Sequence, residues 1–203
     1  MEEYASEGNC IAYSIKEGVQ TEFVVVGVQG KIIHSTDGIA WTERASVTTE
    51  ELYSVASNGD LYVAVGAGGK IIHSTDGITW TSRTSGTSSP LYGVTYADGI
   101  FVVVGTYRIF TSTDGITWIS RESSSTVLNG ATLKDVTYGD NSFVAVGYKT
   151  EGVNRPVILS SSDGIAWTLK DAGVTSGVLR GIHYASGQFV AVGESGMILT
   201  SPD

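Results

Sequence analysis

The heptad S-x-D-G-I-[AT]-W is written four times along this chain, at 35–41, 74–80, 112–118 and 161–167, and a fifth copy runs from Ser201 to Asp203. All four tryptophans of the sequence lie in these heptads. The motif aspartates Asp37, Asp76, Asp114, Asp163 and Asp203 are separated by 39, 38, 49 and 40 residues. A fixed period near 40 residues constrains a fold more than composition does, because each repeat must be one supersecondary unit.

Two further landmarks keep the same order in every unit. Ahead of each heptad stands Phe/Tyr-Val-Val/Ala-Val-Gly, beginning at Phe23, Tyr62, Phe101, Phe143 and Phe189. Ahead of that stands a leucine-led run at Leu52, Leu91, Leu133 and Leu179, with Ala12–Ile15 as a weaker first copy. The leucine-led run reads as a first strand. The Val-rich run, apolar on both faces, reads as a central second strand. Lys31–His34 and Lys70–His73 read as third strands, and a fourth begins near each tryptophan. Asp-Gly between the third and fourth is a hairpin signal. No stretch carries a capped 3.6-residue apolar period, so almost no helix is expected.

Four strands per unit of about 40 residues predict a β-propeller blade. The expected fold is all-β, a five-bladed propeller of four-stranded antiparallel blades forming one domain over 1–203. The blades are expected at about 10–44, 51–83, 90–121, 132–170 and 178–203. The fifth heptad stops at Asp203, and Tyr4-Ala-Ser-Glu7 aligns with Trp80-Thr-Ser-Arg83. Residues 2–8 are therefore expected to supply the fifth blade's fourth strand, with Tyr4 in the tryptophan's place.

A formal charge of −9, with no basic stripe, argues against nucleic acid as a partner. Cys10 is the single cysteine, so no intrachain disulfide is expected. The first residues lack a positive n-region and an apolar h-region, and no apolar run approaches the roughly 18 residues of a membrane span. The expectation is a soluble protein without membrane insertion. Exposure outside a cell, on a virus particle or secretion assembly, stays open, as does the oligomeric state.

The heptad resembles the Asp-box, the repeated element of sialidase-type β-propellers, across all five units. It is one residue shorter between Asp and Trp than the usual S-x-D-x-G-x-[TS]-W. The resemblance implies a turn between third and fourth strands, on the face away from the family's active centre. The residues agree with a structural role. Asp and Ser accept turn N–H groups, Gly takes the left-handed position, and Trp41, Trp80, Trp118 and Trp167 bury their rings between sheets.

Sialidase chemistry, as the resemblance implies it, needs an arginine cluster, a Tyr/Glu pair and an acid. Arg44, Arg83 and Arg121 all follow a motif tryptophan by three residues, which spreads them over different blades. His34 and His73 are likewise repeat equivalents, without metal-ligand spacing. No catalytic residue, cofactor or metal is expected.

Candidate binding residues come from two places. One is the position after each first-strand leucine: Tyr13, Tyr53, Tyr92, Lys134 and Arg180. These would ring the channel mouth or pack between blades. The other is where the repeat breaks: 122–132 and the segment holding Tyr148, Lys149, Asn154 and Arg155. In a propeller both connections emerge on one face, where loops carry function. The reading is a non-catalytic, lectin-like module for a cell-surface glycan or another surface ligand. The alternative is a structural or protein-interaction component of a phage-like particle or large assembly.

Overall fold

The computed structural model describes residues 8–16, 19–121, 128 and 130–201. Four antiparallel meanders of four strands follow one another. The first holds β1 (Gly8–Lys16), β2 (Val19–Gly27), β3 (Ile32–Ser35) and β4 (Thr42–Arg44). The second holds β5 (Leu52–Ser57), β6 (Tyr62–Gly66), β7 (Ile71–Ser74) and β8 (Thr81–Arg83). The third holds β9 (Leu91–Ala97), β10 (Ile100–Gly105), β11 (Arg108–Ser112) and β12 (Ile119–Ser120). The fourth holds β13 (Ala131–Gly139), β14 (Ser142–Glu151), β15 (Val153–Ser161) and β16 (Thr168–Lys170). The fifth has β17 (Leu179–Ala185), β18 (Gln188–Gly193) and β19 (Ile198–Ser201), with no fourth strand among the described residues. No α-helix occurs among the described residues.

The second strand of each unit is apolar on both faces because both faces are covered. Val63, Val65 and Ile71 meet Leu91, Val94 and Phe101 of the next blade. Tyr62, Ala64 and Trp80 meet Val24, Val26 and Ile32 of the blade before. Each such interface removes several large apolar side chains from water, at about 1.5–3 kcal/mol apiece. The same layering recurs between the third and fourth blades and between the fourth and fifth.

The heptad builds the turn between third and fourth strands. In the second blade, Asp76 Oδ1 accepts the N–H groups of Ile78 (2.8 Å) and Thr79 (2.7 Å) and the Ser74 hydroxyl (2.8 Å). The same bonds recur at Asp37, Asp114 and Asp163. Gly77 sits at φ +66°, and a Cβ there would lie 3.0 Å from Val24 Cγ2 of the preceding blade. Glycine is thus required for both conformation and close approach. Asp203 lies outside the described residues.

Among the described residues the series of blades is open. First strands touch in order, β1 to β5, β5 to β9, β9 to β13 and β13 to β17, and β17 and β1 share no comparable contact among the described residues. Side-chain burial agrees at both ends. Ile11 is 54% exposed, whereas Val55, at the same register position one blade on, is 4% exposed. Ile198 is 67% exposed, whereas its equivalents Ile32, Ile71 and Ile109 are fully buried.

The expected closure through residues 2–8, including Tyr4, falls largely on residues 1–7, outside those described. The register of β1 nonetheless bears on it. Gly8 pairs with Gly27 as Leu52 pairs with Gly66, so Gly8 holds the first-strand leucine's place. Trp41 precedes Leu52 by eleven residues, and Tyr4 precedes Gly8 by four. The two spacings differ, so Tyr4 does not stand in the motif tryptophans' register relative to the first strand.

Candidate functional site

The position after each first-strand leucine is set by a β-bulge. Register shifts fall at Gly8/Cys10, Leu52/Ser54, Leu133/Asp135 and Leu179/Gly181, and between Leu91 and Gly93 in β9. The extra residues are Asn9, Tyr53, Tyr92, Lys134 and Arg180. A bulge re-aims its extra side chain, which is why alternation in the sequence could not place them.

The structure brings three of the expected residues together. The Tyr53 and Tyr92 rings lie 5.2 Å apart at 33°, and Lys134 Nζ stands 3.4 Å from the Tyr92 ring centre. All three are half-buried. A cation over an aromatic face at such a site contributes about 0.5–1 kcal/mol. Burial, then the charge of Glu51, pushes the Tyr53 hydroxyl's pKa up. Arg180 is exposed and bonds Glu194.

Tyr13 does not belong to this group. Phe23 lies fifteen residues after Gly8, whereas Tyr62 lies ten after Leu52. The first unit's β1–β2 hairpin is therefore five residues longer. Tyr13 pairs with Phe23 as Tyr96 pairs with Phe101, and Asn9 takes the bulge position. Tyr13 instead lines a hollow of about 370 Å³ at the opposite end of the sheets, with Asn58, Gly59 and Tyr96. Asn9 donates to Glu51 Oε1 (3.0 Å) and to Leu52 O (2.9 Å).

The second expected group joins the bulge residues at the same end. Bulge residues sit where first strands pair with the ends of second strands, and there β14 and β15 run on as a long hairpin. Tyr148 pairs with Pro156 and Lys149 with Arg155. Lys149 bridges Glu151 at 2.7 Å, and Arg155 lies 3.9 Å from the same carboxylate. The Lys149 hydrogen bond, aided by its charge and that of Arg155, holds the Glu151 carboxyl below its usual range. Asn154 accepts from Thr150 Oγ1 (2.8 Å), and its carbonyl accepts Gly177 N–H (2.9 Å), tying the tip to the linker before β17. Most of the other insertion, 122–132, lies outside the described residues.

A feature absent from the sequence reading is Asp135. It follows Lys134 and joins blades: Oδ2 accepts Ile182 N–H of the fifth blade at 2.9 Å, and Oδ1 accepts Val136 N–H at 2.8 Å. Burial pushes its carboxyl up, against those two N–H groups. Ser54, its register equivalent, accepts Val94 N–H at 3.2 Å. The signal available was polar residues at the equivalent positions 54 and 135 of otherwise apolar strands.

The arginines after the tryptophans stay within their own blades. Arg83 Nε donates to His73 Nδ1 (3.1 Å), and Arg121 Nε donates to Thr111 Oγ1 (2.7 Å). Burial lowers the pKa of both His34 and His73. Among the described residues, no three His, Cys, Asp or Glu side chains stand where they could hold a metal ion. No helix among them is long and apolar enough to cross a membrane.

The family described as the DUF6242 beta propeller domain matches residues 23–129, just over half of the chain. No curated protein sequence matches it. Among solved structures, YCF48 bound to D1 peptide is similar at TM-score 0.66 and 15% identity, over 97% of this chain and 63% of that one. Virginiamycin B lyase from Staphylococcus aureus is similar at TM-score 0.71 and 16% identity, over 96% and 69%. A nidogen/laminin complex is similar at TM-score 0.67 and 10% identity, over 92% and 72%. The chain spans just under two thirds of the two YCF48 structures, the second from Cyanidioschyzon merolae (63% and 66%). Lyases and binding proteins share the architecture, so the fold by itself assigns no activity.

Proposed function

The chain belongs to the DUF6242 β-propeller domain family, and from that premise we propose that it is a non-catalytic module that binds an extended polypeptide on its loop-bearing face. One observation carries the reading: the bulge column, which recurs in every blade, and the β14–β15 hairpin, which departs from the repeat, emerge at the same end of the sheets. There Tyr53, Tyr92 and Lys134 form a half-buried platform, and the hairpin offers the partly exposed Lys149 and the exposed Asn154 and Arg155. Rigid aromatic and arginine side chains are the usual anchors of polypeptide recognition.

A polypeptide ligand fits this face better than a glycan. A sugar ring stacks on an open aromatic face. Tyr92 has one face under Lys134, and Tyr53 and Tyr92 lie against each other. Two of the similar structures hold YCF48 with D1 peptide and a nidogen/laminin complex, which favours a polypeptide partner here.

Parallel screens on peptide and glycan arrays test the proposal. The expected result is peptide binding that weakens about tenfold or more in Tyr92→Ala/Arg155→Ala. Binding to glycans alone, or peptide binding indifferent to both substitutions, refutes it.

A further inference from the structure

The sheets carry opposite charge at their two ends. At one end, the turns between third and fourth strands hold Asp37, Asp76, Asp114 and Asp163, and three turns between first and second strands hold Asp60, Asp98 and Asp140. No described lysine or arginine stands in any of these turns. At the loop-bearing end of the third to fifth blades stand Arg108, Lys134, Lys149, Arg155 and Arg180, against the exposed carboxylates Glu151 and Glu194. Asp135 lies there too, but both its oxygens already accept backbone N–H groups. A chain with a formal charge of −9 thus gathers a positive surface on the face that carries its irregular loops.

Within that surface one seat for a carboxylate is already formed. Lys149 pairs across the β14–β15 hairpin with Arg155, and the Glu151 carboxylate lies between them, 2.7 Å from Lys149 Nζ and 3.9 Å from Arg155 Nε. The lysine stem rests against the backbone at Gly130, where a Cβ would stand 3.1 Å from Lys149 Cε. The Glu151 side chain is 50% exposed, and an exposed ion pair of this kind is held weakly. A carboxylate arriving from outside can take its place. Lys134 supplies a second cation on the same strand pair. It follows Ala131, the cross-strand partner of Lys149, by three residues, or about 10 Å along β13.

Resting on the reading that this face takes a polypeptide, we propose that the polypeptide is acidic. One of its carboxylates displaces Glu151 between Lys149 and Arg155, and another, about 10 Å away, meets Lys134. Complementary charge steers such a segment to the loop-bearing end and fixes its register there, while the aspartates of the far end repel it. Nucleic acid suits the surface less well. Its dense phosphate charge calls for a longer basic stripe than five side chains provide on a chain of charge −9.

The test measures peptide binding to the 203-residue chain by fluorescence anisotropy. The probes are three labelled peptides of equal length, repeats of Gly-Tyr-Glu, Gly-Tyr-Gln and Gly-Tyr-Lys. The Glu peptide should bind about fivefold or more tighter than the Gln peptide, with the Lys peptide weakest. Its affinity should fall as salt is raised from about 0.05 to 0.5 M. Glu151→Gln should tighten the Glu peptide by about twofold to fivefold and leave the Gln peptide unchanged. Asp98→Asn makes the same change of charge at an exposed turn of the far end and should alter neither. If it tightens the Glu peptide as much as Glu151→Gln does, net charge explains the gain and the seat is wrong. Equal affinity for the Glu and Gln peptides, or no gain in Glu151→Gln, overturns the proposal. Where that binding is still lost in Tyr92→Ala/Arg155→Ala, the polypeptide reading stands without it. No saturable binding of any of the three up to about 1 mM overturns both. A labelled oligothymidylate of the same length that binds tighter than the Glu peptide also overturns the proposal, since the partner is then a nucleic acid.

Discussion

Alanine at Gly115 and at Gly38 separates the open arc from a closed ring. Both glycines sit in the heptad turn with left-handed backbone, at φ +66° and +72°. An L-residue there costs about 1–2 kcal/mol at either site. The surroundings differ. A Cβ at Gly115 would lie 2.3 Å from Leu61 Cδ2 and 3.1 Å from Val63 Cγ2, both on the preceding blade. A Cβ at Gly38 meets only Phe23 of its own blade, at 3.3 Å. Overpacking costs about 1–3 kcal/mol, and the flexible end of Leu61 keeps it toward the lower part. Gly38→Ala should therefore lose about 1–2 kcal/mol and Gly115→Ala about 2–4 kcal/mol. Urea unfolding followed by tryptophan fluorescence reads the difference, and a thermal scan should place it at about 2–8 °C. Equal losses would mean that a blade-like surface covers the first blade, and the open arc would be wrong.

An outer and an interior blade predict opposite tolerance to charge: Ile198→Lys should change the unfolding free energy by no more than about 0.5 kcal/mol, while Ile109→Lys should prevent folding, as soluble yield and near-UV circular dichroism will report. The motif carboxylates predict acid sensitivity. Burial, the largest single influence on Asp76, raises its pKa, but the Thr79 and Ile78 N–H groups and the Ser74 hydroxyl together hold it to about 2. Asp37, Asp114 and Asp163 are also lowered, chiefly by two turn N–H groups each. A carboxyl lower in the folded than the unfolded chain stabilises fully above the unfolded value and loses that as pH falls through the folded one. The melting temperature should thus be flat above about pH 5 and fall between about pH 4 and 2, and the Asp76→Asn/Asp114→Asn variant should show a shallower fall. Asp135, raised by burial, acts in the opposite sense and at higher pH, gaining stability as pH falls through its raised value and adding no slope below the ordinary carboxylate range. At that site Asp135→Ser should retain more stability than Asp135→Ala, which strands Ile182 N–H at a cost of about 1–3 kcal/mol. Chemical unfolding of the pair compares them directly.

Strand count, strand order and the turn chemistry were legible because the heptad pins them. Asp, Ser and Gly have fixed jobs in that turn, and each tryptophan marks where a fourth strand starts. The register of the first unit was not legible. Tyrosine occurs both at the bulge, as Tyr53 and Tyr92, and four residues on, as Tyr96, Tyr138 and Tyr184. A shift of four residues leaves the facing of every side chain unchanged, so alternation cannot expose the slip. Only the pairing of Tyr13 with Phe23, across a hairpin five residues longer than its counterparts, decides it.

Ring size lies deeper than any of these. Strand patterns fix pairing within a blade, whereas the angle between blades comes from the side-chain volumes packed between sheets. Tyr62, Trp80, Ile32 and Ile72 fill one such layer and Val63, Ile71, Leu91 and Phe101 the next, with almost no exposed surface left. Close-packed layers of this kind resist changes of even one methylene. Propellers that overlay 92–97% of this chain are matched over only 63–72% of their own. Ile11 and Ile198 lie outside these filled layers, on the faces of the first and last blades that no described blade covers, which is why the same register positions are buried one blade further in.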